Sequence, residues 1–85
     1  MKTKEDVWLV IKESVGEILP DLDQELLRPE ISLKDLGANS IDRMDIIVGA
    51  MESLDIRIPM LEFGAAKNIG GLVDLLYTKR LEQHP

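Results

Sequence analysis

The sequence predicts an all-α chain, a bundle of three or four short helices, on three observations. Apolar residues recur at three- and four-residue spacing behind residues that favour helix N-caps. Strict apolar–polar alternation, the mark of a half-buried strand, is absent nearly everywhere. Finally, 85 residues at 45% apolar and 31% charged content suffice for one small core and little more, so a single domain is expected over residues 1–85.

The elements follow in chain order. Thr3-Lys4-Glu5-Asp6 has the form of a capping box, and behind it Val7, Ile11, Val15 and Ile18 repeat at helical spacing. Residues 4–18 therefore read as a first amphipathic helix, stopped by Pro20. Residues 19–38 form a long connection holding Pro20, Pro29 and Gly37. Leu22, Leu26, Leu27, Ile31, Leu33 and Leu36 are too many apolar groups for a free loop. It should lie against the helices, with one helical turn near Leu22–Leu27. Within it, Asp21-x-Asp23-x-Glu25 hints at a calcium loop. Leu26 at the position needing glycine and Ser32 at the position needing glutamate exclude the EF-hand reading.

Asn39 caps a second helix, expected from about Ser40 to Leu54, with Asp42 in its first turn where negative charge suits the dipole. Ile56 and Ile58 alternate around Arg57 in a short extended link ending at Pro59. Residues 60–66 have room only for a short helix. Asn68 caps the last, with Ile69, Leu72, Val73 and Leu76 inward and Lys79 and Arg80 near its C-terminal end. Gly70 and Gly71 weaken its first turn.

Composition excludes several functions. There is no cysteine, so disulfides, thiolate zinc sites and a cysteine nucleophile are out, and a reducing compartment such as the cytoplasm is the expected setting. The single histidine, His84, is penultimate, where chain ends fray; a serine–histidine triad and histidine metal clusters are not expected. The longest apolar run, Val7–Ile11, is five residues, against about 20 needed to cross a bilayer. No charged-then-apolar leader opens the chain, so neither export nor a membrane site is expected. Sixteen acids against ten bases give −6. Residues 1–60 hold thirteen acids and seven bases, so all of the net charge lies there. That sign disfavours nucleic acid and favours a basic protein partner.

The second helix carries more apolar surface than one core contact needs. Asp42, Asp45, Gly49, Glu52 and Ser53 fill one arc of its wheel, and the apolar residues, interrupted by Arg43, spread over about 220°, where a one-sided contact needs about 100°. Two stripes separate: Ile46, Ile47, Ala50 and Leu54, and Ile41, Met44, Val48 and Met51. The second borders Asp45 and Glu52. An apolar strip with an acidic margin and two adaptable methionines suits protein docking; a central helix buried on nearly every side fits the wheel equally well.

Asp35-Leu36-Gly37-Ala38-Asn39-Ser40-Ile41-Asp42 places Ser40 just inside this helix. No neighbouring side chain offers a general base, so self-activated catalysis is excluded. Either Ser40 is an ordinary first-turn residue, or it presents a hydroxyl to another enzyme, and a phosphodiester formed there would sit near unpaired helix N–H groups.

Here the chain resembles a family, the acyl carrier proteins. Leu36-Gly37-Ala38-Asn39-Ser40-Ile41-Asp42 is similar to that family's Asp-Ser-Leu attachment region, and Ile56-Arg57-Ile58-Pro59 to its loop before the third helix. The likeness spans essentially the whole chain. It implies a small four-helix bundle with a long first loop and a short third helix. It implies that Ser40 carries 4′-phosphopantetheine, delivered from coenzyme A by a phosphopantetheinyl transferase, whose thiol holds acyl groups as thioesters. The chain would then be a carrier rather than an enzyme. By the same likeness Ile41, Asp42, Met44, Asp45, Val48, Met51 and Glu52 face partner enzymes, Ile46, Ile47, Ala50 and Leu54 face the core, and Ile58 lies either near the arm or in the core.

Three residues depart from the family pattern. Asn39 stands for the usual aspartate, Ile41 for leucine, and Arg43 adds a cation beside the attachment point. The Asn-Ser-Ile-Asp-Arg run resembles free-standing carriers of polyketide β-branching cassettes, which implies a monomeric acetyl donor to an enzyme like hydroxymethylglutaryl synthase. A peptidyl or fatty-acid carrier, and a helical adaptor without a prosthetic group, are the alternatives.

Overall fold

The computed structural model describes residues 3–85 as three helices of 15 residues each, α1 (Lys4–Ile18), α2 (Ser40–Leu54) and α3 (Ile69–Gln83). Two 3-10 segments, Gln24–Leu26 and Met60–Ala65, lie in the connections. The six-residue segment occupies the place of the short third helix, so the four-helix order is met with three α-helices and one tighter turn. No strand occurs among the described residues.

Local chemistry starts each helix. The Thr3 hydroxyl accepts from the Asp6 amide at 3.2 Å while Asp6 Oδ2 accepts from the Thr3 amide at 2.9 Å, the reciprocal box read from the sequence. Val7, Ile11 and Val15 then fall on one face and are fully buried. They meet Ile46, Ala50 and Leu54 of α2 and Ile69, Leu72, Val73 and Leu76 of α3 in a single core. Full burial of a valine, leucine or isoleucine stabilises by about 1.5–3 kcal/mol relative to exposure.

α1 and α2 meet closely where two small residues, Ser14 and Gly49, face each other. The buried Ser14 hydroxyl donates to the Ile46 carbonyl at 2.7 Å. A Cβ added to Gly49 would lie 2.9 Å from Ser14 Oγ, so a larger residue there forces that side chain or the helix crossing to shift. Gly49, counted with the polar arc on the wheel, therefore faces α1.

The long connection is fastened at several points. Asp23 caps the turn Gln24–Leu26 through the Glu25 amide, and Leu27 and Leu33 are buried. The amides of Ile69 and Gly70 donate to the Ile31 and Pro29 carbonyls at 2.9 and 2.8 Å, tying the connection to the start of α3. At the other end, α3 grips the link after α2. Arg80 donates to the Leu54 carbonyl at 2.6 Å, and the Gln83 amide group both accepts from and donates to the backbone of Arg57. His84 is engaged rather than frayed: its Nε2 lies 2.6 Å from the Asp55 carbonyl oxygen. Asp55 itself closes α2 in the left-handed conformation, φ 53°. Ile56 and Ile58 point inward on either side of exposed Arg57. No helix among the described residues is long and apolar enough to cross a membrane.

Candidate functional site

The approach to α2 determines how Ser40 is held. Ser32 and Asp35 exchange hydrogen bonds, Ser32 amide to Asp35 Oδ2 at 3.2 Å and Asp35 amide to Ser32 Oγ at 3.1 Å, and start a single turn. Gly37 ends it at φ 91°, a conformation that other residues adopt only under strain. Leu33 and Ala38 are buried on either side, which fixes the chain where it enters the helix. Asn39 then forms a second reciprocal box: its Oδ1 accepts from the Asp42 amide at 2.8 Å, and Asp42 Oδ2 accepts from the Asn39 amide at 3.2 Å. The sequence reading missed the Ser32–Asp35 pair and the reciprocal half of the Asn39–Asp42 box, although both carry the same three-residue spacing as Thr3–Asp6.

Ser40 is consequently the first helical residue of α2 and is exposed. Among the described residues the Ser40 and Ile41 amides have no acceptor, as expected for the first turn of a helix. Arg43, one turn on, donates from Nη1 to the Ala38 carbonyl at 2.8 Å and from Nη2 to Ser40 Oγ at 3.3 Å. The one carboxylate in this turn, Asp42, is half-buried and turned toward the Asn39 amide, away from acting as a base on Ser40.

The two stripes of α2 divide less cleanly than the wheel implied. Ile41 is 71% and Met44 52% exposed, with Asp45 and Glu52 exposed along their edge. Val48 is half-buried, and Met51 is half-buried and packed against the core. On the other stripe Ile46, Ala50 and Leu54 are sealed, whereas Ile47 is half-buried. Ile58, at 5% exposure, occupies a core position. The exposed apolar surface continues onto Met60 and Leu61, the latter 93% exposed. The sequence signal for that extension was the Pro59-Met60-Leu61 run opening an element too short to bury all of it.

A groove of about 490 Å³ runs from Ser40 between α2, the segment Met60–Ala65 and the start of α3. Leu33, Ile47, Phe63, Ile69 and Leu72 give it apolar walls, and Lys34, Arg43 and Lys67 also line it. The donor set fits a phosphodiester on Ser40. It combines an exposed hydroxyl, two unpaired first-turn amides and a guanidinium, with no carboxylate turned toward the oxygen. The one acid–base group of this turn, the Asp42 carboxylate, is taken up by the Asn39 amide and is not aimed at the Ser40 hydroxyl.

A family model described as "Phosphopantetheine attachment site" matches residues 10–76. The "Polyketide biosynthesis acyl-carrier-protein AcpK" of Bacillus subtilis (strain 168) is 41% identical over 76 residues, spanning 89% of this chain and 93% of that protein. Among solved structures, the fold matches a chain of "Crystal Structure of the Curacin Biosynthetic Pathway HMG Synthase in Complex with Acetyl Donor-ACP". The TM-score is 0.82 at 45% identity, over 92% of this chain and all of that one.

Proposed function

The chain belongs to the phosphopantetheine-attachment family of acyl carrier proteins, and on that premise we propose that Ser40 carries the 4′-phosphopantetheine and that the loaded chain delivers acetyl units in polyketide biosynthesis. The observation that carries the assignment is the exposed Ser40 hydroxyl at the first position of a doubly capped helix. In the loading reaction Ser40 Oγ bonds to the β-phosphorus of coenzyme A, the bond to the leaving 3′,5′-ADP breaks, and a base of the phosphopantetheinyl transferase takes the hydroxyl proton. The bound arm supplies a thiol on which acyl groups are held as thioesters.

This chain's own residues present that arm. Asn39 and Asp42 hold the helix tip rigid, while exposed Ile41, Met44, Asp45 and Glu52 offer an apolar patch with an acidic edge to a basic enzyme surface. Val48 and Met51 border that patch. Support for the acetyl-donor reading comes from the 45% identical acetyl-donor carrier of the curacin pathway and from the Asn39-Ser40-Ile41-Asp42-Arg43 run, while the 41% identical carrier supports polyketide biosynthesis. The partners are then a phosphopantetheinyl transferase, an acyl-loading enzyme and a hydroxymethylglutaryl-synthase-like acceptor. The chain acts as a monomeric single carrier domain in the cytoplasm.

The test mixes the acetyl-loaded chain with such an acceptor and follows acetyl transfer by intact mass. Transfer to the acceptor is expected. Asp45→Lys and Glu52→Lys should slow it about tenfold at low salt while leaving helicity unchanged. Failure of the acceptor to take acetyl, with ready loading by amino acids instead, would contradict the acetyl-donor reading.

A further inference from the structure

Of the nine lysines and arginines among the described residues only Lys4 and Lys79 form ion pairs, and three of the seven others lie together. Arg43, Lys34 and Lys67 all line the groove that begins at Ser40. Among the described residues none of the three has a carboxylate within salt-bridge reach, although the chain carries sixteen acids. Arg43 is the most firmly placed. Its Nη1 is on the Ala38 carbonyl and its Nη2 is on Ser40 Oγ, which orients the guanidinium over the hydroxyl. This is the end of α2 where the helix dipole repels a cation. The carboxylate nearest in sequence, Asp42, is engaged with the Asn39 amide. A guanidinium kept there has N–H donors to spare for an anion that joins Ser40.

We propose that Arg43 is the positioning residue for the phosphodiester on Ser40, with Lys34 and Lys67 keeping the mouth of the groove cationic. The inference rests on Ser40 being the attachment point. Esterification turns Oγ into a weak acceptor and adds two non-bridging oxygens that share one negative charge. The Nη2 donor then passes from Oγ to a non-bridging oxygen while Nη1 keeps the Ala38 carbonyl. The first link of the arm is thereby pinned at the groove's mouth. A lysine at position 43 supplies the charge without the fork, so it substitutes only in part.

The experiment compares apo and loaded forms of the wild type, Arg43→Gln and Arg43→Lys. Loading uses coenzyme A and a broad-specificity phosphopantetheinyl transferase and is verified by intact mass. Each variant's apo form is its own reference, so stability lost with the Ala38 contact cancels. Three readouts are taken: the 31P resonance of the single phosphodiester, the Arg43 Nε–Hε resonance, and Tm. On loading, the wild-type Arg43 resonance should move. The phosphorus resonance should differ in Arg43→Gln and lie between the two in Arg43→Lys. The gain in Tm on loading should be about 4 °C smaller in Arg43→Gln at low salt, and 1 M NaCl should close that gap. Complete loading with the same phosphorus resonance and the same Tm gain in all three chains overturns the role of Arg43 and leaves Ser40 untouched. No added mass on the wild type, or added mass on Ser40→Ala, overturns the attachment reading and this inference with it.

Discussion

Replacing Asn39 by alanine tests whether the cap holds Ser40 in place. The substitution removes the Oδ1 acceptor that sits 2.8 Å from the Asp42 amide. It leaves the other half of the box intact, because the backbone amide of residue 39 still donates to Asp42 Oδ2. Loss of an N-cap side chain costs about 0.5–2 kcal/mol, and retention of the reciprocal bond at an exposed site argues for about 1 kcal/mol. For a domain of this size that corresponds to a fall in Tm of about 4–8 °C. Thermal unfolding followed by circular dichroism gives the Tm, and amide hydrogen exchange at Asp42 reports the local effect. Asn39→Asp keeps an acceptor and adds negative charge at the positive end of the helix, so at neutral pH it should match or exceed the wild type. An Asn39→Ala chain with unchanged Tm and unchanged protection at Asp42 would refute the claim that this side chain holds the helix tip.

Two further perturbations probe the frame around the site. Gly49→Ala places a methyl 2.9 Å from Ser14 Oγ. It should destabilise by about 1–2 kcal/mol despite alanine's better helix propensity, and adding Ser14→Ala should recover part of the loss. Denaturant unfolding measures both, and a stabilised Gly49→Ala single variant would mean that the crossing is looser than described. Lys79 is held above the ordinary lysine pKa, first by its hydrogen bond to Glu62, 3.2 Å away, then by the charges of Glu62 and Glu82. Its stabilising contribution is thus complete below the ordinary lysine value and fades as pH rises through the folded one. Glu62→Gln should lower the Lys79 titration midpoint seen by NMR, and an unmoved midpoint would contradict the pairing.

What could be read from the sequence was mostly local. The Thr3–Asp6 box, the Asn39 and Asn68 caps and the inward set Ile69, Leu72, Val73 and Leu76 depend on spacings of three or four residues and are met in the structure, which adds that Asp42 closes a box with Asn39. Features that depend on a second element were not accessible. Gly49 looked polar-side on the wheel until α1 brought Ser14 against it. Ile47, expected in the core, and Met51, expected on the partner face, are both half-buried and both pack against the core, which the wheel alone could not show. The grip of Arg80, Gln83 and His84 on residues 54–57 joins positions 26 to 29 apart, beyond any helical period. At the site itself the capped serine and its cationic neighbour were legible. The direction of the Arg43 side chain, toward Ser40 Oγ rather than solvent, was not.

The most direct measurement locates the arm. The folded chain is incubated with coenzyme A, magnesium and a phosphopantetheinyl transferase, and fragmented intact in a mass spectrometer. One phosphopantetheine on Ser40, and none on Ser40→Ala, is the expected result. An unmodified wild type, or a modification mapped to any other residue, would contradict the account.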